Sequence, residues 1–360
     1  MSKLPIGNEY VDYLLSVPDH VSSVDLSEVL DNQYSHDQIS RMLYSGKTDD
    51  KKLYLKGKRF VKSVKAEGKK VIIIDDSIQP KPFSEINGLV AYHYDHSEHG
   101  YVKGINFISA VWADENHSIP LSMEGVKKEW IWDNKKEENS WKTVETKNSI
   151  FRRMVQRLTY SKEIDYVLAD SWYGSKENMA FIVENCKTNF VLALKSNRLV
   201  ARSEKDAKKG MYKPLEELRL GKCVTKVYLK ELDFPVLVVK KVFKNGDGSS
   251  GTLYLACSDL QLEYEQIFTL YKRRWKVEEY HKSLKQNCSL GKCQASSHTA
   301  QQSHFYLAVF AFLQLEKAKA AKGKNHFALR HDLNILTTKY GIKAVKKNLH
   351  ITLSKLQNAA

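Results

Sequence analysis

The sequence predicts an α/β fold: a mixed sheet flanked by helices, with a β-rich insertion and helical regions at both ends. Three observations predict it. A β-branched run, Val71-Ile-Ile-Ile74, lies between Lys69-Lys70 and Pro80 and reads as a central buried strand. Strand-like and helix-like segments then follow one another as far as Leu194. From about Ser196 to Ser258 the pattern changes to short alternating strands, and beyond Tyr264 it becomes helical.

The elements follow in chain order. Asn8 to Val17 carries Tyr10, Val11, Leu14 and Leu15 at helical spacing. Ser35-His36-Asp37-Gln38 is a capping-box pattern that opens a helix at Ile39. Leu26 to Leu43 therefore reads as helix, short turn, helix: either a helix-turn-helix or an ordinary helical pair. Leu53 to Val64 mixes Lys and Arg with Phe and Tyr, the composition of a phosphate contact or of a solvated helix face. Ile105 to Trp112 and Ile119 to Met123 read as strands, joined by a turn containing Asp114-Glu-Asn-His. Ser149 to Leu158 is a basic helix, Tyr166 to Ala169 a short strand, Ser175 to Asn185 a helix and Phe190 to Leu194 a strand. In the next segment Val224 to Leu229, Val236 to Val242 and Leu253 to Ala256 are strands, with Asn245-Gly-Asp-Gly248 as a hairpin-type turn. Tyr264 to Gln286 reads as one strong helix, and the tail from Leu315 is helical and basic.

Composition narrows the function classes. The 360 residues are 42% hydrophobic and 28% charged, enough to bury a core and to exclude global disorder. Lys and Arg exceed Asp and Glu by 15, which points to an acidic partner, most often nucleic acid. The longest apolar run, Phe305 to Leu315, is too short for a membrane span and reads as a buried helix. Met-Ser-Lys-Leu-Pro lacks a signal peptide's apolar core, and five scattered cysteines make no disulfide framework. The expectation is a cytoplasmic protein with no membrane partner.

Two acidic positions follow predicted buried strands: Asp75-Asp76 after Ile74, and Asp170 after Ala169. Strand ends are where α/β folds place their sites, although an aspartate there also caps turns. Acidic groups brought together repel unless a cation neutralises them, and a hard divalent ion suits an all-oxygen set. The third element is the helix from Tyr271 to Lys285. Tyr271, Arg274, Glu278 and Lys285 follow one another at spacings of three, four and seven, on one face of a regular helix. Glu278 either pairs with Arg274 at one-turn spacing or completes a metal cage beside groups that hold a nucleic-acid backbone.

Tyr-x2-Arg-x3-Glu-x6-Lys at Tyr271, Arg274, Glu278 and Lys285 resembles the YREK signature of DDE transposases of the insertion-sequence-four type. Asp76 before Ser77 and Asp170 before Tyr173-Gly174 are similar to that family's first two acidic positions, and 108 residues separate Asp170 from Glu278. Asp76 is preferred to Asp75 as the first acid, because strand alternation lets only one of the two face the site. The resemblance implies a ribonuclease-H-like core in which Asp76, Asp170 and Glu278 are catalytic and hold two Mg²⁺ or Mn²⁺ ions. It implies that Tyr271, Arg274 and Lys285 hold DNA. On this resemblance residues 1–68 are a helical DNA-binding region, 69–195 the first part of the catalytic domain, 196–258 a β-rich insertion, 259–300 the last part of the catalytic domain, and 301–360 a basic helical region. The implied partners are terminal inverted repeats and target DNA, with a homodimer at work. A catalytically silent DNA-binding relic or repressor is the alternative, and a structure-specific nuclease of the same fold a third reading. The family commonly forms DNA hairpins and holds a flipped base; Tyr228, Phe234 and Tyr254 are candidate aromatics for that stack.

Other residues carry less. Cys288, Cys293 and His298 lack tight zinc spacing. His93, His96 and His99 are read as a loop near DNA or solvent. Lys81 is read as a phosphate contact or a solvated loop lysine, Trp172 as packing, and Lys205, Lys208 and Lys209 as a solvated turn.

Overall fold

The structure, a computed structural model, describes residues 5–17, 20–95, 98–134, 137–160, 163–244, 246 and 248–357. It opens with four helices: α1 (Ile6–Ser16), α2 (Ser23–Val29), α3 (His36–Tyr44) and α4 (Asp50–Ser63). Strands β1 (Val71–Pro80), β2 (Val90–Asp95), β3 (Gly100–Ala113), β4 (Ser118–Gly125), β5 (Lys128–Asp133) and β6 (Glu138–Thr143) follow. Then come α5 (Lys147–Thr159), β7 (Tyr166–Ala169), α6 (Lys176–Ala180, continued by a wider turn over Phe181–Asn185) and β8 (Asn189–Leu194). The next segment holds β9 (Leu199–Ala201), α7 (Glu204–Lys208), β10 (Lys213–Pro214), β11 (Thr225–Leu229), β12 (Val236–Lys244) and β13 (Ser250–Cys257). Helices α8 (Tyr264–Lys272), α9 (Trp275–Asn287), α10 (His298–Lys322) and α11 (His326–Gln357) close the chain.

Two compact units result: Met1–Asp49 with Lys282–Ala360, and Asp50–His281. The first is helical, and its core is α10, whose residues from Phe305 to Leu313 are all buried. Around that helix Tyr10 Oη meets His304 Nδ1 at 2.9 Å, and buried Glu316 takes Lys319 and His326, each at 2.9 Å. The capping box at Ser35 forms as expected: Ser35 Oγ accepts from Gln38 N, and Gln38 Oε1 from Ser35 N. No helix among the described residues is long and apolar enough to cross a membrane.

The second unit is built on one eleven-stranded mixed sheet. Strand β1 runs parallel to β7 and antiparallel to β3, β7 runs parallel to β8, and β3 pairs antiparallel with β4 and β2 along its other edge. Antiparallel strands on one side of β1 and parallel strands on the other make this a ribonuclease-H-like sheet flanked by helices. Val71 to Ile74 are fully buried because they alone in β1 carry ladders on both edges. From Asp75 only the β3 ladder continues, and there the sequence turns polar. The strand therefore extends to Pro80, past the end expected from its apolar run, and Asp75 and Asp76 lie within it.

Three further differences have physical causes. Strands β12 and β13 join the main sheet, with β13 antiparallel to β8, so the β-rich segment extends the sheet. Strand β2 and the hairpin β5–β6 were not expected: the hairpin strands are largely exposed and carry no buried apolar run, and they are held by pairing, including the Trp130–Trp141 register pair. The helix expected from Tyr264 to Gln286 is broken at Arg273-Arg274. There the backbone bonds shorten to three-residue spacing, Arg274 N to Tyr271 O at 2.9 Å and Val277 N to Arg274 O at 3.1 Å. No proline or glycine marks the break. Of the expected β-hairpin turn, Asn245 and Asp247 lie outside the described residues.

Candidate active site

The parallel ladder between β1 and β7 ends on the register pair Ile74–Ala169. The residues that follow, Asp75-Asp76 on one strand and Asp170 on the other, emerge at the same level of the sheet. Asp76 is bound through both oxygens: Tyr173 Oη donates to Oδ1 at 2.9 Å and Lys147 Nζ to Oδ2 at 2.6 Å. Asp75 Oδ2 lies 3.6 Å from Arg274 Nη1. Burial, and next the charge of Asp170, push the Asp75 carboxyl up to about 7. Burial, and next the charge of Asp76, raise Asp170. Like charges thus crowd at the end of one ladder.

Local structure holds these groups. Asp170 Oδ1 accepts the Trp172 backbone N–H at 3.0 Å, so it also forms the turn. Gly174 fits because a Cβ there would lie 2.4 Å from the Ala193 carbonyl oxygen. The Tyr173 ring stacks on Phe151 at 5.0 Å, and the buried amide of Asn178 donates to the Tyr173 carbonyl at 3.0 Å while Arg152 donates to Asn178. Tyr173 is fully buried, and its hydroxyl, raised by burial and then by Asp76, stays a proton donor.

Helices α8 and α9 bring the remaining groups. Their tight junction sets Arg274 between Asp75 and Glu278, with Nη2 donating to Glu278 Oε1. Glu278 thus makes the one-turn ion pair that its spacing allowed, and among the described residues no three acidic, His or Cys side chains converge as a ready metal cage. Tyr271 is buried beneath the Arg274 guanidinium, which lies 5.8 Å from its ring centroid. Lys285 lies seven residues beyond Glu278 on α9, within the helical unit.

The DDE superfamily endonuclease family matches residues 7–217, more than half of the chain. The chain belongs to this family. No curated protein matches the sequence. The span matched to the DDE superfamily endonucleases holds Asp75, Asp76 and Asp170 and ends before α8 and α9, so Arg274 and Glu278 lie outside it. Divalent metals and DNA are what this family typically takes. The site suits a hard divalent cation: Asp75, Asp76 and Asp170 offer oxygen donors alone, and two of them carry the cost of crowded negative charge that such an ion relieves.

Several side chains stand otherwise than expected. Lys81 is buried, neither a solvated lysine nor an open phosphate contact. His93 lies buried in β2, not in a loop, because its position faces inward opposite Val102; His99 is exposed, and His96 lies outside the described residues. Trp172 is 45% exposed where packing was expected. Of the candidate stacking aromatics, Tyr254 is buried and Tyr228 and Phe234 are half-buried. Cys288 and Cys293 are buried and not disulfide-bonded, and Lys208 pairs with Glu204 on α7. Lys147 was missed. Its signal was present: a lysine opening a helix after the Thr146 N-cap opposes the helix dipole and calls for an anionic partner.

Proposed function

We propose that this protein is a DNA transposase of the insertion-sequence-four type, which binds terminal inverted repeats, cleaves DNA and joins strands with two Mg²⁺ or Mn²⁺ ions. The observation that carries the reading is the crowding of Asp75, Asp76 and Asp170 at the end of the β1–β7 ladder in a chain of the DDE superfamily endonucleases. Asp76, Asp170 and Glu278 are the metal-holding acids. Asp76 is preferred because two donors already fix its carboxylate, whereas Asp75 is engaged by Arg274. Metal ions held there supply activation of an oxygen nucleophile and stabilisation of the leaving oxygen.

The chain's own groups do the rest. Tyr173 orients Asp76 through its hydroxyl. Lys147 balances Asp76, and Arg274 balances Asp75 and Glu278; both are cations positioned to receive a phosphate when the carboxylates turn to metal. Tyr271 supports the Arg274 guanidinium from below. Lys285 and the basic helices add backbone contacts in a dimeric complex. The net charge of +15 favours this acidic partner.

The test is a labelled duplex carrying the repeat and flank of the source element, incubated with Mg²⁺, with Mn²⁺ and with chelator. Metal-dependent cuts at the repeat boundary are the expected products, and a double-length strand on a denaturing gel marks a hairpin. Specific binding with no cut in either metal would replace this reading with a DNA-binding relic.

A further inference from the structure

The helical unit holds a groove of about 760 Å³. It is bordered by the last turns of α1 and α9, by Lys292, and by one face of α11 that carries Phe327, Arg330, His331 and Asn334. Lys292, Arg330 and His331 are its basic members, and among the described residues no acidic side chain lines it. Arg330 is 8% exposed and Asn287, the last residue of α9, 3%. Phe327, His331 and Asn334 are exposed. The buried pair therefore forms the floor of the groove and the exposed three its rim.

Arg330 is the costly group. Its Nη2 donates to the Val17 carbonyl oxygen at 2.8 Å and so caps the end of α1. Its Nη1 is buried and has no hydrogen-bond partner among the described residues. Burial lowers the guanidinium from its ordinary pKa, as for any cation taken out of water. A buried cation is destabilising unless an anion meets it, yet Lys292 beside it is also positive. The α1 cap accounts for one nitrogen of Arg330 and for neither the other nitrogen nor the lysine. An anion in the groove accounts for both, and a guanidinium's planar fork matches phosphate oxygens.

We propose that this groove binds a small phosphate-bearing molecule: Arg330 and Lys292 take the phosphate oxygens, His331 and Asn334 donate from the rim, and Phe327 covers the apolar remainder. The volume is that of a small-molecule site. A DNA duplex presents its phosphates on a convex surface, which meets the rim and does not reach a buried floor. The ligand joins the ends of α1 and α9 to the start of α11, so its binding stabilises the helical unit. The groove shares no residue with the paired aspartates, and the site stands whether or not they cut DNA.

The test titrates full-length protein in chelator, at ionic strength held constant with chloride. The probes are inorganic phosphate, pyrophosphate, adenosine 5′-triphosphate and a short duplex of random sequence. Calorimetry gives affinity, and thermal unfolding is followed in the same solutions. A free phosphate compound is expected to bind and to raise the unfolding temperature. Arg330→Gln should bind it about tenfold more weakly or worse and lose the thermal gain. Arg330→Lys should recover part of both. Lys292→Gln should weaken binding by about threefold to tenfold, and its affinity decides the matter if Arg330→Gln does not fold. A less stable Arg330→Gln that binds the free compounds as wild type does would reduce Arg330 to a helix cap and overturn the site. Wild-type protein that binds the duplex alone, or none of the four probes, would overturn it as well.

Discussion

Ile74 and Ala169 are register partners in the parallel ladder of β1 and β7, so Asp75 and Asp170 leave that ladder side by side. One register pair thereby converts two separate acidic sites in the chain into a shared electrostatic centre. Apart from burial, Asp170 is the largest cause holding the Asp75 carboxyl up at about 7.

Metal binding distinguishes the neighbouring aspartates. Asp76→Asn and Asp170→Asn should each weaken Mn²⁺ binding by roughly tenfold or more, read by electron paramagnetic resonance of free Mn²⁺. Asp75→Asn should stay within about threefold of wild type, because Asp75 is engaged by Arg274. A larger loss for Asp75→Asn than for Asp76→Asn would reverse the assignment.

Glu278→Gln keeps the shape and a hydrogen bond to Arg274 while removing the charge. Cleavage should fall by about a hundredfold or more, with binding to the repeat nearly unchanged. If binding and cleavage fall together, Glu278 acts through Arg274 and not on metal.

His93 gives a pH dependence. Burial, then the charges of Lys128 and Lys147, lower its imidazole to about 4 from the ordinary 6.5. The unfolded chain therefore takes up a proton at a higher pH than the folded protein does. Stability from neutral His93 is complete above about pH 6.5 and is lost as pH falls toward 4. Chemical denaturation of His93→Gln should show a shallower decline over that window, by about 2 kcal/mol, than wild type. Parallel curves for the two proteins would refute the buried neutral imidazole.

Gly57 sits where α4 meets β4. A Cβ there would lie 2.6 Å from the Pro120 carbonyl oxygen and 2.7 Å from Leu121 Cδ2. The backbone oxygen cannot yield as a side chain can, so Gly57→Ala should cost about 1–3 kcal/mol despite alanine's better helix propensity. Urea unfolding measures it, and a gain in stability would contradict this packing.

Particular elements show what was legible. Strand β7 occupies Tyr166 to Ala169 as its apolar run predicts, because a short strand flanked on both sides must be apolar throughout. Strand β2 was not legible. Its His93 looked solvated, and only pairing with β3 makes that position interior. The break between α8 and α9 left no trace in composition, since neither proline nor glycine causes it.

By itself the sequence determined β1, β3, β4, β7 and β8 of the main sheet and the helices between them, the capping box at Ser35, the excess of basic charge, and the acidic residues at the edge of the buried runs. These are local properties, written in periodicity and composition. Tertiary structure decided which groups meet. It put Lys147 on Asp76, set Arg274 between Asp75 and Glu278, and left Trp172 exposed between two lysines. Apart from the one-turn pair of Arg274 with Glu278, those partners lie far apart in the chain. Their meeting depends on strand order and ladder register, which no stretch of sequence carries alone.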